Sequence, residues 1–251
     1  MRDEGRQTTP VLEAPGMAGD RPYRVGPDLY QGLVDRGLIS ESEVGLVDGL
    51  LVRRDAGLVD GLYRMPLEIY DKVAEVGLLG PSDKVELLDG LLVHKMTKLD
   101  PHILATYQTW DALRAVLPGG LLVLKEDPVA LPTGPSGYAS EPEPDVMVIR
   151  GTLRAYLAGK RDPADVALVV EVSESSLRED RAKLARYGWA GIPVAWVVDL
   201  TERTVEVSTK PSGAVGTGGY EEFKVHGEDD TLAVVIDGTE VGRVAVRDLL
   251  P

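Results

Sequence analysis

Three carboxylates in this chain stand where a strand or hairpin has no structural use for them. Glu171 interrupts the apolar run VALVVEV, on the face of Ala167 and Val169 by the two-residue strand period. Asp145 follows Pro144 at the start of DVMVIR, on the face of Met147 and Ile149, and Glu86 precedes Leu87-Leu88-Asp89-Gly90 at the start of a hairpin. An unpartnered buried carboxylate is expensive, so such residues are normally paired or bound to a cation. Lys183 lies two turns into the helix after Glu171, and Asp180, Lys183 and Tyr187 share a stripe of that helix at three- and four-residue spacing. Two or three oxygen ligands around a hard cation, with a lysine to hold a water or an oxyanion, are what metal-assisted phosphodiester hydrolysis requires.

The elements that must position these residues alternate along the chain. HILATYQTWDALRAVL (102–117) carries an apolar helical stripe ended by Pro118-Gly119-Gly120. LLVLKE (121–126) and PVALP (128–132) read as consecutive strands, and PTGPSGYASEPEP (132–144) as a loop. DVMVIR (145–150) and DVALVVEVS (165–173) are strands, the second apolar enough to be central. SLREDRAKLARYGWAG (176–191) reads as a helix with a capping box, Ser176 facing Glu179, and with Gly191 and Pro193 past its end. VAWVVDL (194–200) and TVEVST (204–209) form a strand pair, and the last forty residues suggest further short strands.

Upstream, the chain repeats itself. LYQGLVDRGLISESEVGLVDGLL (29–51) matches IYDKVAEVGLLGPSDKVELLDGLL (69–92), with a third partial echo over 57–63. Each copy reads as a short helix, a loop and a β-hairpin turned by Asp-Gly. Two or three copies are too few for a solenoid. The copies differ at one telling place, since Gly45 stands in the first where Glu86 stands in the second. The organisation read from this is a disordered tail over 1–25, an accessory repeat over 26–66 and a working domain over 67–251.

Composition narrows the function classes. The 251 residues include no cysteine, which excludes disulfides, thiolate metal sites and a cysteine nucleophile. Three histidines are too few to expect a histidine-built zinc site. No stretch approaches the ~20 apolar residues of a membrane span, and the N-terminus lacks a hydrophobic signal region, so a cytoplasmic protein is the expectation. A net charge of −14 has the wrong sign for generic nucleic-acid binding, although a local basic groove can sit on an acidic body. Gly213, Gly216, Gly218 and Gly219 form a flexible loop with no phosphate-binding motif, and no Gly-x-Ser-x-Gly elbow surrounds Ser173, Ser175 and Ser176.

PDV (144–146) followed by LVVEVSESSLREDRAKLARYGWAGIPVAWVVD (168–199) resembles the signature of the Uma-two group of bacterial endonucleases, within the PD-(D/E)XK restriction-endonuclease-like superfamily. VELLDGLLV (85–93), followed by Pro101-His102 opening a helix, is similar to that group's N-terminal hairpin motif. The resemblance runs from about 67 to 210. It implies that Asp145 and Glu171 are the metal-binding acids and Glu86 the supporting acid. The superfamily lysine belongs two residues after the glutamate, where this chain has Ser173; in this group it is displaced onto the following helix, which matches Lys183. His102 and Asp180 also stand at group motif positions.

Each residue alone has a plainer explanation. Asp145 can end a loop, Glu171 can be half of a buried ion pair, Lys183 can be a solvated helix residue, and Glu86 can pair with a neighbouring strand. His102 reads best as a cap or surface residue, and Tyr187, Trp189 and Trp196 as core. Together and in order, the four residues Glu86, Asp145, Glu171 and Lys183 are read as catalytic. The expected fold is α/β, a restriction-endonuclease-like mixed sheet of four or five strands flanked by helices, with the duplicated helix-hairpin segment at its N-terminus. The expected activity is a Mg²⁺- or Mn²⁺-dependent endonuclease acting on DNA, and the rival is a catalytically silent interaction protein that keeps the fold. Cutting two strands takes two sites, which leaves a homodimer open. A nuclease also needs a basic rim, for which Arg150, Arg154, Lys160, Arg161, Arg178, Arg181 and Arg186 are the nearest candidates in sequence.

Overall fold

Two Asp-Gly turns organise the N-terminal half. Asp48 and Gly49, like Asp89 and Gly90, both take positive φ, the conformation a two-residue hairpin demands. The computed structural model describes residues 21–56, 61–159, 161–212 and 219–251. These form two compact units, one of Arg24–Tyr63 and one of residues 21–23 with Arg64–Pro251.

The smaller unit holds α1 (Pro27–Asp35) and the hairpin β1 (Val44–Val47) and β2 (Leu50–Arg53). The Tyr30 hydroxyl donates to the Val44 carbonyl at 2.8 Å. The larger unit opens with the same design: α2 (Leu67–Glu75), β3 (Val85–Leu88) and β4 (Leu91–His94), with the Tyr70 hydroxyl donating to the Val85 carbonyl at 3.2 Å. The duplication is therefore one of structure as well as sequence, down to its tyrosine. The partial third echo falls half outside the described residues.

The larger unit continues through α3 (Asp100–Val116), β5 (Leu121–Lys125), β6 (Val146–Arg150), α4 (Leu153–Ala158), β7 (Val166–Ser173) and α5 (Leu177–Trp189). It ends with β8 (Val194–Asp199), β9 (Thr204–Pro211), β10 (Tyr220–Gly227), β11 (Thr231–Ile236) and β12 (Thr239–Ala245). The central sheet has six strands, one or two more than the sequence suggests, in the order β10-β9-β8-β7-β6-β5. The stretch 128–132 is not one of them. Among the described residues it makes a single bridge, Leu131 to Ser140. Its prolines at either end cannot donate to a ladder, which accounts for the overreading.

All eight residues of β7 are buried, as its composition predicts, and β7 runs parallel to β8 with α5 as the crossover. Helix α3 and the β11–β12 ribbon cover one face of the sheet, where Val146, Val148, Val170, Val172 and Trp196 are buried. Helix α5 covers the other, over Met147, Ile149, Val169 and Val197. A register shift opposite Val148/Ile149 puts Ala167 on the α3 side, so Glu171 shares its face with Val169 but not with Ala167. Tyr187 and Trp196 are core as expected, whereas Trp189 is 37% exposed. Gly219 is not a free loop residue, because its backbone lies directly against α5. Gly213, Gly216 and Gly218 fall outside the described residues.

Candidate functional site

Asp145 sits at the entrance to β6 and Glu171 near the end of β7, so antiparallel pairing of these neighbouring strands brings the two acids together at adjoining strand ends. The loop after β7 turns back into α5, whose buried face is Asp180, Leu184, Tyr187 and Gly188. The predicted stripe of Asp180, Lys183 and Tyr187 is thereby aimed at the acids. Asp145, Glu171, Asp180 and Lys183 line one pocket of about 100 Å³, together with Glu86 from β3 and His102 from α3.

Asp145 is the most fully partnered of them. Lys98 donates to its Oδ1 at 2.7 Å, and the Val172 N–H donates to its Oδ2 at 2.7 Å. His102 Nε2 lies 3.2 Å from that same Oδ2. Burial pushes the Asp145 carboxyl up, but the His102 hydrogen bond and the Lys98 ammonium outweigh it and hold it at about 2. It is an anion at every working pH.

Glu171 is placed oppositely. Burial raises its carboxyl to about 8, against the pull of Lys183 and with the charges of Asp145 and Asp180 adding to the rise. The Tyr187 hydroxyl donates to its Oε1 at 2.6 Å. Burial and the neighbouring Glu171 raise the Tyr187 phenol well above its ordinary value, so it remains a donor. Burial likewise raises Asp180 to about 6, although the Ser176 hydroxyl donates to it at 2.6 Å. That hydrogen bond corrects the reading of Ser176, which serves Asp180 and makes no side-chain cap.

Lys183 does reach the acids from its helix. Its Nζ is 3.0 Å from Glu86 Oε1 and 3.9 Å from Glu171 Oε1. Burial alone would lower the amine, but Glu171 and Glu86 outweigh it and raise it above the ordinary lysine value, so it is an ammonium. Ser173, where the superfamily lysine belongs, contributes only a buried, uncharged hydroxyl beside Asp180. The structure thus brings Glu86, Asp145, Glu171 and Lys183 together.

Two residues enter the site against the sequence reading. His102 is not a surface cap: it is buried at 9% exposure and faces Asp145. Lys98 has no sequence signal at all, since it lies on a loop and meets Asp145 only through the tertiary fold. The basic rim also differs from expectation. Arg150 pairs with Asp237, Arg161 with Glu141, Arg181 with Glu206 and Arg186 with Asp89, and neither these nor Arg154 and Arg178 line the pocket. Lys160 is outside the described residues. The cations that do line it are Arg21, Lys95, Lys98 and Lys183.

A mixed sheet with acids at adjoining strand ends and a lysine delivered from the crossover helix is the architecture of a restriction-endonuclease-like nuclease fold. In keeping with this, the structure is similar to a crystal structure described as that of "a putative nuclease belonging to DUF820" from Anabaena variabilis ATCC 29413, with a TM-score of 0.52. The two share 16% identity over 73% of this chain and 96% of that one, a likeness of fold. A family model, Uma2, described as "Putative restriction endonuclease", matches residues 67–242, and the chain belongs to that family. No curated protein matches the chain.

Proposed function

We propose that this protein is a divalent-metal-dependent nuclease that hydrolyses phosphodiester bonds of DNA. The observation that carries this reading is the convergence in one small pocket of Asp145 and Glu171 with the Lys183 ammonium. The donor chemistry suits Mg²⁺ or Mn²⁺: hard oxygen donors, in a pocket lined by seven carboxylates against four cationic side chains. Asp145 and Glu171 would hold the ion, with Glu86 supporting. Among the described residues no three histidine or acidic side chains are already gathered to hold one, and the ammonium groups of Lys98 and Lys183 stand on the acids instead. When bound, such an ion polarises a phosphoryl oxygen and lowers the pKa of water. The chain's own contribution is to orient and neutralise: Tyr187 fixes Glu171, His102 fixes Asp145, and Lys183 supplies positive charge where the phosphorane develops negative charge.

The test is titration of Mn²⁺ into the wild type, Asp145→Ala and Glu171→Ala by calorimetry, followed by plasmid cleavage. Loss of one ligand should weaken binding about tenfold or more, roughly 1.4 kcal/mol per decade. The rival reading, a silent interaction protein, draws on the ammonium already seated on Asp145 Oδ1. It leads if the wild type binds no Mn²⁺ with or without DNA present.

A further inference from the structure

The segment ahead of each repeated helix is itself repeated: Arg21-Pro22-Tyr23-Arg24 corresponds to Gly61-Leu62-Tyr63-Arg64. Each of these leaders pairs with the hairpin of the other copy. In the larger unit Pro22 bridges Val93, the Tyr23 N–H donates to the Leu92 carbonyl at 2.8 Å, and the His94 N–H donates to the Arg21 carbonyl at 2.9 Å. In the smaller unit Leu62 bridges Val52, the Tyr63 N–H donates to the Leu51 carbonyl at 2.9 Å, and the Arg53 N–H donates to the Gly61 carbonyl at 2.6 Å. The two patterns are the same, bond for bond. Residues 21–25, expected as the end of a tail, are therefore a structural strap, and the Tyr23 ring packs edge-on against His94 at 4.8 Å.

The exchange has a consequence for the site. The leader over residues 21–23, part of the larger unit, lies along the Glu86-bearing hairpin through the Pro22–Val93 bridge and carries Arg21 into the lining of the pocket. The copies diverge in charge at both matching places: Glu86 against Gly45 in the hairpins, and Arg21 against Gly61 in the leaders. Both charged members line the same pocket. Of the pocket's cations, Lys95 pairs with Glu143, Lys98 with Glu126 and Asp145, and Lys183 with Glu86. Arg21 is exposed and has no carboxylate partner among the described residues. A guanidinium left over beside an acidic centre is the group suited to a phosphate, which it can grip with two parallel N–H donors.

We infer that Arg21 is a phosphate-anchoring residue of the site, supplied by the strap that opens the larger unit, which holds a backbone phosphate of the nucleic acid while the acids face the scissile bond. This rests on the nuclease reading above. The test uses the full chain and a short fluorescein-labelled DNA duplex, with Mn²⁺ affinity and thermal melting measured in parallel. Arg21→Ala should weaken duplex binding about tenfold and lower the slope of log K against log salt by about one, with Mn²⁺ affinity and melting unchanged. Arg21→Lys should keep the salt slope. Tyr23→Pro removes the N–H that ties the strap to Leu92 and should reproduce the loss with Arg21 intact. A wild type that binds the duplex while Arg21→Ala binds equally well overturns the anchoring role and leaves the nuclease reading standing. A wild type that binds Mn²⁺ but no duplex overturns DNA as the substrate and the anchor with it.

Discussion

The Lys183 ammonium on α5 stands 3.0 Å from the Glu86 carboxylate on β3, and both side chains are nearly buried. A buried pair of this kind is strongly destabilised when one partner goes, because the other charge is left without compensation. Lys183→Met should therefore cost roughly 3–5 kcal/mol in chemical denaturation as well as abolishing cleavage. Adding Glu86→Gln to Lys183→Met should recover part of the stability and none of the activity. Recovery of cleavage in the double variant would remove Lys183 from the catalytic set.

Lys98 is bonded to both Asp145 and Glu126. Its ammonium occupies Asp145 Oδ1, an oxygen that the proposed metal ion would need, so the two cations would compete. Lys98→Met should tighten Mn²⁺ binding severalfold while leaving Asp145 charged through His102 and the Val172 N–H. Calorimetric titration reads this directly, and weaker binding in Lys98→Met would mean that the lysine helps to build the site.

How far the sequence makes this site legible depends on the kind of signal. Glu171 and Asp145 show themselves because a carboxylate in an apolar strand conflicts with its surroundings, and Lys183 because helix periodicity aligns it with Asp180 and Tyr187. The sheet is legible for the same reason, since β7 and β8 are continuous apolar runs. Lys98 and Arg21 lie in loop and leader segments with no periodicity, and only tertiary pairing carries them to the pocket. His102 is misread because a residue next to a helix-opening proline is usually exposed, whereas the fold turns its ring onto Asp145. The arginines around α5 are near in sequence yet point to Glu206 and Asp89, a reminder that proximity along a helix says nothing of facing.

Metal-free stability should fall with rising pH because of Glu171. Its carboxyl is raised by burial from 4.5 to about 8, so the folded state binds that proton more tightly than the unfolded chain does. The stabilisation is full below about pH 4.5 and is lost as pH climbs toward about 8. Glu171→Gln, which mimics the protonated acid, should flatten this stretch of the Tm profile measured in chelator. An unchanged slope would assign the pH dependence elsewhere.

The position of Lys183 and Tyr187 depends in turn on how closely α5 can approach the rest of its unit. A Cβ built on Gly188 would lie 2.0 Å from the Gly219 carbonyl oxygen, and Gly219 itself takes φ +81° directly under Ala185. Backbone cannot yield to a methyl group as the tip of a flexible side chain can, so Gly188→Ala must push the helix away. Overpacking of this sort costs about 1–3 kcal/mol, and for a domain of this size each kcal/mol lowers Tm by about 2–4 °C. The displacement should also reach the chemistry, because the adjacent Tyr187 holds Glu171 through a single 2.6 Å hydrogen bond. Gly188→Ala is thus expected to lose Mn²⁺ affinity together with Tm, whereas Trp189→Ala, half-exposed one residue further on, should lose neither to the same degree. Calorimetry and melting on the two variants distinguish a close-packed seat for the helix from a general sensitivity of its C-terminal turn.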